Sequence, residues 1–200
     1  MPSGRGGTKT ARRSALFMPT FVTHAVAGAA VAQVLAPCSL RGRMTAVAAM
    51  CAMLPDIDVI GLRLGVPYDS LFGHRGITHS ILFAGMVALA ISLPLWSRSK
   101  SRETLQALAC LFVATVSHGV LDALTNGGLG VAFFAPFNDA RYFFPVTPIE
   151  VSPLRADVFL TVRGVSVLWR EIVWVWLPAV VVAVVARLTR CRQIASCARC

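Results

Sequence analysis

Long apolar segments alternate with short arginine and lysine clusters along this chain, and no other feature restricts its fold as strongly. An α-helix needs about 20 mostly apolar residues to cross the hydrocarbon core of a bilayer. Five segments approach that length, and they cover about 18–37, 44–60, 77–96, 104–124 and 171–189. The sequence therefore predicts an all-α, polytopic membrane bundle of about four or five transmembrane helices.

The composition also favours a bilayer environment. Hydrophobic residues make up 56% of the chain and charged residues only 14%, whereas about a quarter of the residues in a soluble domain are charged. The net charge is +10, but the cations lie in short clusters between the apolar segments, as residues that set membrane topology do. We therefore expect a lipid bilayer as the partner, and not a nucleic acid.

The chain divides into three predicted regions. Residues 1–17 form a basic N-terminal extension, residues 18–190 a membrane-embedded domain, and residues 191–200 a basic tail that contains cysteines. The start is open to three interpretations, namely a signal peptide, an uncleaved first helix, or translation from Met18. We favour the uncleaved helix. Within the domain, the Gly/Pro-rich stretch 125–170 is predicted to be a surface loop or re-entrant segment before the last helix.

Every histidine and a set of aspartates lie at the ends of the predicted helices. Because successive helices cross the membrane in opposite directions, the start of the first and third and the end of the second and fourth lie on one membrane face. That face is predicted to collect His24, Asp56, Asp58, His74, His79, His118 and Asp122.

Such a cluster calls for a compensating cation. An ionisable residue within a bilayer costs about 2.5–3.5 kcal/mol by insertion scales. Neutral imidazoles and carboxylates are the usual ligands of Zn²⁺ and similar ions. We predict a divalent metal site, with zinc ahead of manganese or iron, for one ion or two. Its ligand pool is His24, Asp56, His74, His79, His118 and Asp122.

Local spacing supports this set of ligands. His118 and Asp122 are four residues apart and share one helix face, and Asn126 extends that stripe if the helix continues. Pro55 disfavours helix at the preceding residue, so Asp56 and Asp58 are expected to leave the helix and converge on the site.

Three further residues receive predicted roles in hydrolysis. Asp58 is the candidate general base, or else the residue that orients a ligand histidine. Arg75 is the candidate for stabilising negative charge on the substrate, and Asn126 for binding the substrate. The expected reaction is metal-dependent hydrolysis of a small molecule or lipid, with a lipid-linked phosphoester as the substrate that best fits an arginine and a metal beside a bilayer.

Two non-enzymatic alternatives remain open. A metal- or proton-handling protein would carry ionisable residues at several depths, whereas here they lie at one level. A structural protein would use the same cluster only to tie its helices together. It would bind no metal, and alanine substitutions in the cluster would reduce stability and not activity.

Several motifs together resemble the YdjM-type family of bacterial inner-membrane proteins, which are predicted metal-dependent hydrolases. The resemblance covers about residues 18–153 and implies the same site, in the bacterial inner membrane, without specifying a substrate. The similar segments are Pro19–His24, Pro55–Asp58, His74–Ser80, His118–Asp122, Thr125–Gly127, Ala135–Phe137 and Arg141–Pro148.

The distribution of cations bears on which side the site faces. With the whole chain counted and Arg63 and Arg75 set aside beside the site, eight cations fall on the site face and nine on the opposite face. Counting from Met18 changes this to four against nine. The positive-inside rule then predicts a site outside the cytoplasm.

Overall fold

The described part of the chain is α-helical, as predicted. The structure, a computed structural model, describes residues 17–18, 20–96, 101–153 and 162–197, with side chains over 20–94, 101–151 and 164–189. The α-helices are α1 Phe21–Leu35, α2 Arg41–Met53, α3 Val59–Arg63, α4 Ile81–Trp96, α5 Ser101–Ala123, α6 Val162–Glu171 and α7 Leu177–Cys197. Two 3₁₀ turns cover Leu54–Asp58 and Ile77–His79, and a π-helical turn covers Ile172–Trp176. The two-residue strands β1 Phe17–Met18 and β2 Ser152–Pro153 pair antiparallel.

Three helical stretches of the described residues are long and apolar enough to cross a membrane, and they span Arg41–Arg63, Ser101–Ala123 and Gly164–Thr189. Two shorter apolar helices, Phe21–Leu35 and Ile81–Pro94, accompany them. The 15 residues of α1 extend about 22 Å, less than the roughly 30 Å of a hydrocarbon core. Non-helical backbone is tolerated at membrane depth where protein buries it, and the segments next to α1 and α4 are of this kind.

Small residues bring the helices close together. The core between α1, α2, α4 and α5 is largely alanine, and Ala32, Ala48, Ala88 and Ala107 are all 0% exposed. A Cβ atom added to Gly28 on α1 would lie 2.5 Å from the Ala48 carbonyl oxygen on α2. Small residues at helix contacts are typical of packing in lipid. Helix α7 packs on α1, and most of its apolar surface faces outwards.

The segments on either side of Pro55 form the predicted break. Helix α2 ends at Met53, and Asp56 and Asp58 lie in a 3₁₀ turn. With three residues per turn, side chains two positions apart point about 120° from one another. Both carboxylates are buried. Because of the angle between them, they face different parts of the site.

The predicted loop 125–170 was too long, because α6 begins at Val162. Hydropathy missed the start of this helix because Arg163, Arg170 and Glu171 interrupt the apolar pattern. Residues 124–151 do fold as an irregular cover over one end of the bundle. Backbone bridges join Thr125 to Ile149 and Val131 to Tyr142 within that cover. Nearly all of the extension 1–17 and the side chains of the tail 191–200 lie outside the described residues, so both regions stay predictions.

Candidate metal centre

The predicted site residues converge at one end of the bundle. They come from the first turn of α1, the 3₁₀ turn after α2, the segment before α4 and the last turns of α5. None is more than 7% exposed, and the set comprises His24, Asp56, Asp58, His74, His79, His118 and Asp122. Residues up to 98 positions apart in the chain thus share one buried volume, as counting the membrane crossings predicted.

Four of these residues form a compact group that could hold a metal ion, namely Asp56, His79, His118 and Asp122. The Nε2 atoms of His79 and His118 are 3.0 Å apart. His118 Nε2 lies 3.3 Å from Asp56 Oδ1 and 3.7 Å from Asp122 Oδ2, and His79 Nε2 lies 3.8 Å and 3.2 Å from the same two oxygens. Tetrahedral zinc with bonds of about 2.0–2.1 Å separates its ligand atoms by about 3.3–3.4 Å. The separations that involve the two histidines are therefore close to those in a tetrahedral site.

Hydrogen bonds to the outer nitrogens fix how the two imidazoles face the cluster. His118 Nδ1 lies 2.7 Å from the Ala52 carbonyl oxygen, which can only accept, so Nδ1 carries the proton. His79 Nδ1 lies 3.2 Å from Asp58 Oδ2 and 3.0 Å from the Thr78 hydroxyl. Protonation at Nδ1 leaves both Nε2 lone pairs directed inwards. This partnership is typical of metal-ligating histidines.

Asp58 organises the segment that carries His74 and His79. Its Oδ2 accepts from the Thr78 hydroxyl at 2.6 Å and from the Arg75 backbone N–H at 3.2 Å. Its Oδ1 lies 2.7 Å from His74 Nδ1. With so many donors already bound, this carboxylate is well placed to orient a ligand histidine, one of the two roles predicted for it.

Arg75 is fully buried, and its guanidinium is bound by protein groups. Nε lies 3.1 Å from Asp122 Oδ2, Nη1 donates to the Gly127 carbonyl at 2.7 Å, and Nη2 donates to the Thr125 hydroxyl at 3.1 Å. Its backbone has a φ of +62°, a conformation that is uncommon for a residue with a side chain. Arg75 thus joins the cover loop to the cluster, and its predicted role toward the substrate stays a prediction.

The donor set fits a cation because many buried polar atoms have no hydrogen-bond partner among the described residues. Both oxygens of Asp56, Oδ1 of Asp122, both nitrogens of His24 and His74 Nε2 are in this condition, while Asp122 Oδ2 has only the ion-pair contact with Arg75 Nε. A buried polar group without a partner is costly and rare in folded proteins. A divalent ion would satisfy the carboxylate oxygens and the inward imidazole lone pairs together.

His24 and His74 adjoin the compact group without belonging to it. The His24 ring stacks on His118 with centroids 3.8 Å apart, and its Nε2 lies 3.8 Å from Asp122 Oδ1. The His74 ring meets His79 edge-on at 5.3 Å. A second group that could hold a metal ion consists of Asp58, His74 and His79.

Asn126, the predicted substrate-binding residue, braces the cover loop. Its side-chain oxygen accepts from the Val151 backbone N–H at 3.2 Å, and its own backbone N–H donates to the Ile149 carbonyl. Asn126 is exposed, in contrast to the buried residues of the cluster. A role in binding substrate would therefore act from the outer side of the loop.

Arg141 supports the site from the cover loop, and sequence reasoning gave it no role. Its guanidinium donates to the backbone carbonyls of His74 at 3.0 Å and of Tyr68 and Ser70 at 3.2 Å. Burial lowers the pKa of Arg141 from its ordinary value and raises the pKa of the neighbouring Tyr68 phenol. The sequence signal that could have indicated this role is the position of Arg141 directly before three aromatic residues.

Glu171 fastens the last helix to the first, and it was also missed. Its fully buried carboxylate accepts from the Thr20 backbone N–H at 2.8 Å, the Thr20 hydroxyl at 2.6 Å and the Thr23 hydroxyl at 2.7 Å. Trp176 Nε1 donates to the same Thr23 hydroxyl at 2.8 Å. A carboxylate at a helix N-terminus is stabilising, and this one holds the turn that carries His24.

Comparison with known proteins connects this architecture to a family. The family described as YdjM inner membrane protein matches residues 18–194. The chain belongs to the YdjM family. A curated relative, the inner membrane protein YbcI of Escherichia coli (strain K12), is 37% identical over 161 residues, which are 80% of this chain and 92% of that protein. No solved structure matches the chain.

The family match confirms the resemblance drawn from the motifs. It also starts at residue 18, the same position as that resemblance. The descriptions of the YdjM family and of YbcI both name the inner membrane, in agreement with the apolar helices found here.

Proposed function

We propose that this protein is a membrane-embedded, metal-dependent hydrolase. The observation that carries the proposal is the convergence of four ligand atoms, from Asp56, His79, His118 and Asp122, which all lie within 4.8 Å of one another in a buried cluster. A cluster that served only to tie helices together would pair its carboxylates with donors. Here Asp122 Oδ2 is within ion-pair distance of Arg75 Nε, but both oxygens of Asp56 and Oδ1 of Asp122 have no hydrogen-bond partner among the described residues, which favours a cation.

The residues around the centre prepare it for hydrolysis. When bound, a divalent ion such as zinc would lower the pKa of water to about 7 and so supply a nucleophile at neutral pH. Asp58 and the Ala52 carbonyl hold the imidazoles of His79 and His118 with their lone pairs inwards. Arg75 holds Asp122 in place and, through Gly127, the loop above it. Hydrolysis then adds hydroxide to the substrate and gives the remaining proton to the leaving group.

We propose a lipid-linked phosphoester as the substrate class. The apolar helices keep the site beside the bilayer, and the loop that covers it exposes aromatic side chains, with Phe137 84% and Phe134 51% exposed. Exposed apolar patches can mark sites of membrane interaction. A phosphoester suits a metal centre because an ion can neutralise charge that develops on its oxygens.

Metal content is the first test. The detergent-purified protein, prepared alongside His118→Ala, should contain about one or more zinc, manganese or iron ions per chain by ICP-MS, and the variant should not. Thr115→Val is the matched control, because Thr115 is buried one turn before His118 and its hydroxyl donates to the Leu111 carbonyl. This control should keep its metal.

Activity is tested on the same samples with bis(p-nitrophenyl) phosphate and with phosphatidic acid in mixed micelles. Turnover that EDTA abolishes and that His118→Ala lacks would support the hydrolase. Wild-type protein that binds no metal after supplementation would contradict it and favour a structural cluster. Stoichiometric metal without turnover of either ester would instead favour a metal-handling protein.

A further inference from the structure

The atoms that remain unpaired after one ion is accounted for lie on the side of the cluster next to His24. The compact group uses Asp56 Oδ1 and Asp122 Oδ2. Asp56 Oδ2, Asp122 Oδ1 and both nitrogens of His24 then still have no hydrogen-bond partner in the part of the chain that the structure describes. His24 is 0% exposed, so water from the surface does not satisfy its ring.

The stacked imidazoles of His24 and His118 each lie near a different oxygen of the Asp122 carboxylate. The rings of His24 and His118 are nearly parallel, with centroids 3.8 Å apart and an interplanar angle of 19°. His118 Nε2 lies 3.7 Å from Asp122 Oδ2, and His24 Nε2 lies 3.8 Å from Asp122 Oδ1. The metal ions of two-metal sites are about 3.5–4 Å apart. The distance between the two ring centroids is therefore similar to the distance between the ions of such a pair.

We propose that the centre holds two divalent cations bridged by Asp122, with His24 as the histidine ligand of the second. This inference rests on the proposed metal centre. The free Asp56 Oδ2 is the remaining carboxylate oxygen for the second ion. The alternative position, beside Asp58 and His74, is less suitable because His74 Nδ1 and Asp58 already bond each other at 2.7 Å.

The charge of the buried groups indicates what a centre with two ions would bind. The buried groups around it are three carboxylates, Asp56, Asp58 and Asp122, and one guanidinium, Arg75, which leave two negative charges with neutral histidines. One divalent ion neutralises these charges. A second makes the site positive, so the filled centre attracts a dianionic oxygen ligand such as a phosphoryl group. A phosphoester is therefore the substrate class that two ions specify.

Manganese is the probe, because its EPR spectrum distinguishes single from coupled ions. The full-length protein in detergent is stripped with chelator, reloaded with Mn²⁺ and passed through a desalting column. Wild type should retain two ions per chain by ICP-MS with an exchange-coupled spectrum. His24→Gln should retain one ion, with the six-line signal of isolated Mn²⁺, and His74→Gln should retain two.

The outcomes separate this inference from the hydrolase proposal. One ion in wild type and in His24→Gln would overturn the second site while leaving the first intact. Loss of the second ion in His74→Gln but not in His24→Gln would overturn its assignment to His24. No ion in wild type would defeat the proposed metal centre itself. Circular dichroism of each variant before loading checks that it has folded, and His24→Asn provides a second variant if His24→Gln has not.

Discussion

At the scale of single residues, the Asp58 carboxylate is predicted to tune the metal site without binding the metal. Asp58→Asn keeps the size of the side chain but weakens the acceptor that orients His79. We expect the ion to remain, with an affinity about 10–100-fold lower, because outer partners of metal ligands have effects of this size. Competition with a chromophoric chelator measures the change.

The neighbouring hydroxyl offers a control for Asp58→Asn. Thr78→Val removes one donor to Asp58 and leaves the carboxylate in place, so its effect on affinity should be smaller. If Asp58→Asn instead purified without metal, as expected for His118→Ala, then Asp58 would be a ligand and the second set with His74 and His79 would be the preferred site.

Residue types and their order predicted which side chains meet, but not how each one is used. The four-residue spacing of His118 and Asp122 was enough to place them on one face. The positive φ of Arg75 and the carbonyl partner of His118 depend on distant backbone, so no local pattern reports them. For the same reason, the sequence did not indicate that the Arg75 guanidinium contacts Asp122, Thr125 and Gly127.

At the scale of helices, the contact between α1 and α2 is predicted to depend on Gly28. A Cβ atom there would lie 2.5 Å from the Ala48 carbonyl oxygen and 2.7 Å from the Ala52 Cβ, so the two helices must separate to admit it. Ala52 also supplies the carbonyl that binds His118. We expect Gly28→Ala to destabilise the protein by about 1–3 kcal/mol, the usual range for overpacking, and to weaken metal binding.

Gly85→Ala is the matched control for this contact. Gly85 lies in α4, and a Cβ atom added there meets nothing within 4 Å. Alanine favours a helix over glycine by about 0.8–1.0 kcal/mol, so this variant should be as stable as wild type or more stable. Thermal unfolding in one detergent compares the three proteins. Equal melting temperatures for Gly28→Ala and Gly85→Ala would show that the helices do not pack this closely.

Apolar segments predicted the helices well, but the polar element at the start of the last helix was missed. All five predicted segments are helical in the described residues. Helix α6 is amphipathic and ends in the buried Glu171, a residue that hydropathy treats as a sign of exposure. Its burial is explained only by Thr20 and Thr23, which lie about 150 positions away and supply the donors.

At the scale of the whole molecule, the alternation of crossings determines which ends share a face. Helix α1 begins and α5 ends at the metal centre, and Glu171 meets Thr20 at that same end. Arg187 in the middle of α7 donates to Gln33 near the far end of α1 at 3.0 Å. The first and last helices are therefore parallel, and the C-terminal side of α7 is opposite the site.

Reporter fusions test the predicted orientation. Counted from Met18, the face opposite the site carries nine cations against four on the site face. Because cytoplasmic loops are enriched in lysine and arginine, we expect the site to lie outside the cytoplasm and the C-terminus inside. In Escherichia coli, green fluorescent protein fused after Cys200 should fluoresce, and alkaline phosphatase inserted at the exposed Asp139 should be active. If the two reporters are exchanged, the green fluorescent protein should not fluoresce and the alkaline phosphatase should be inactive. The reverse result would place the metal centre in the cytoplasm, where a substrate would have to come from the inner leaflet.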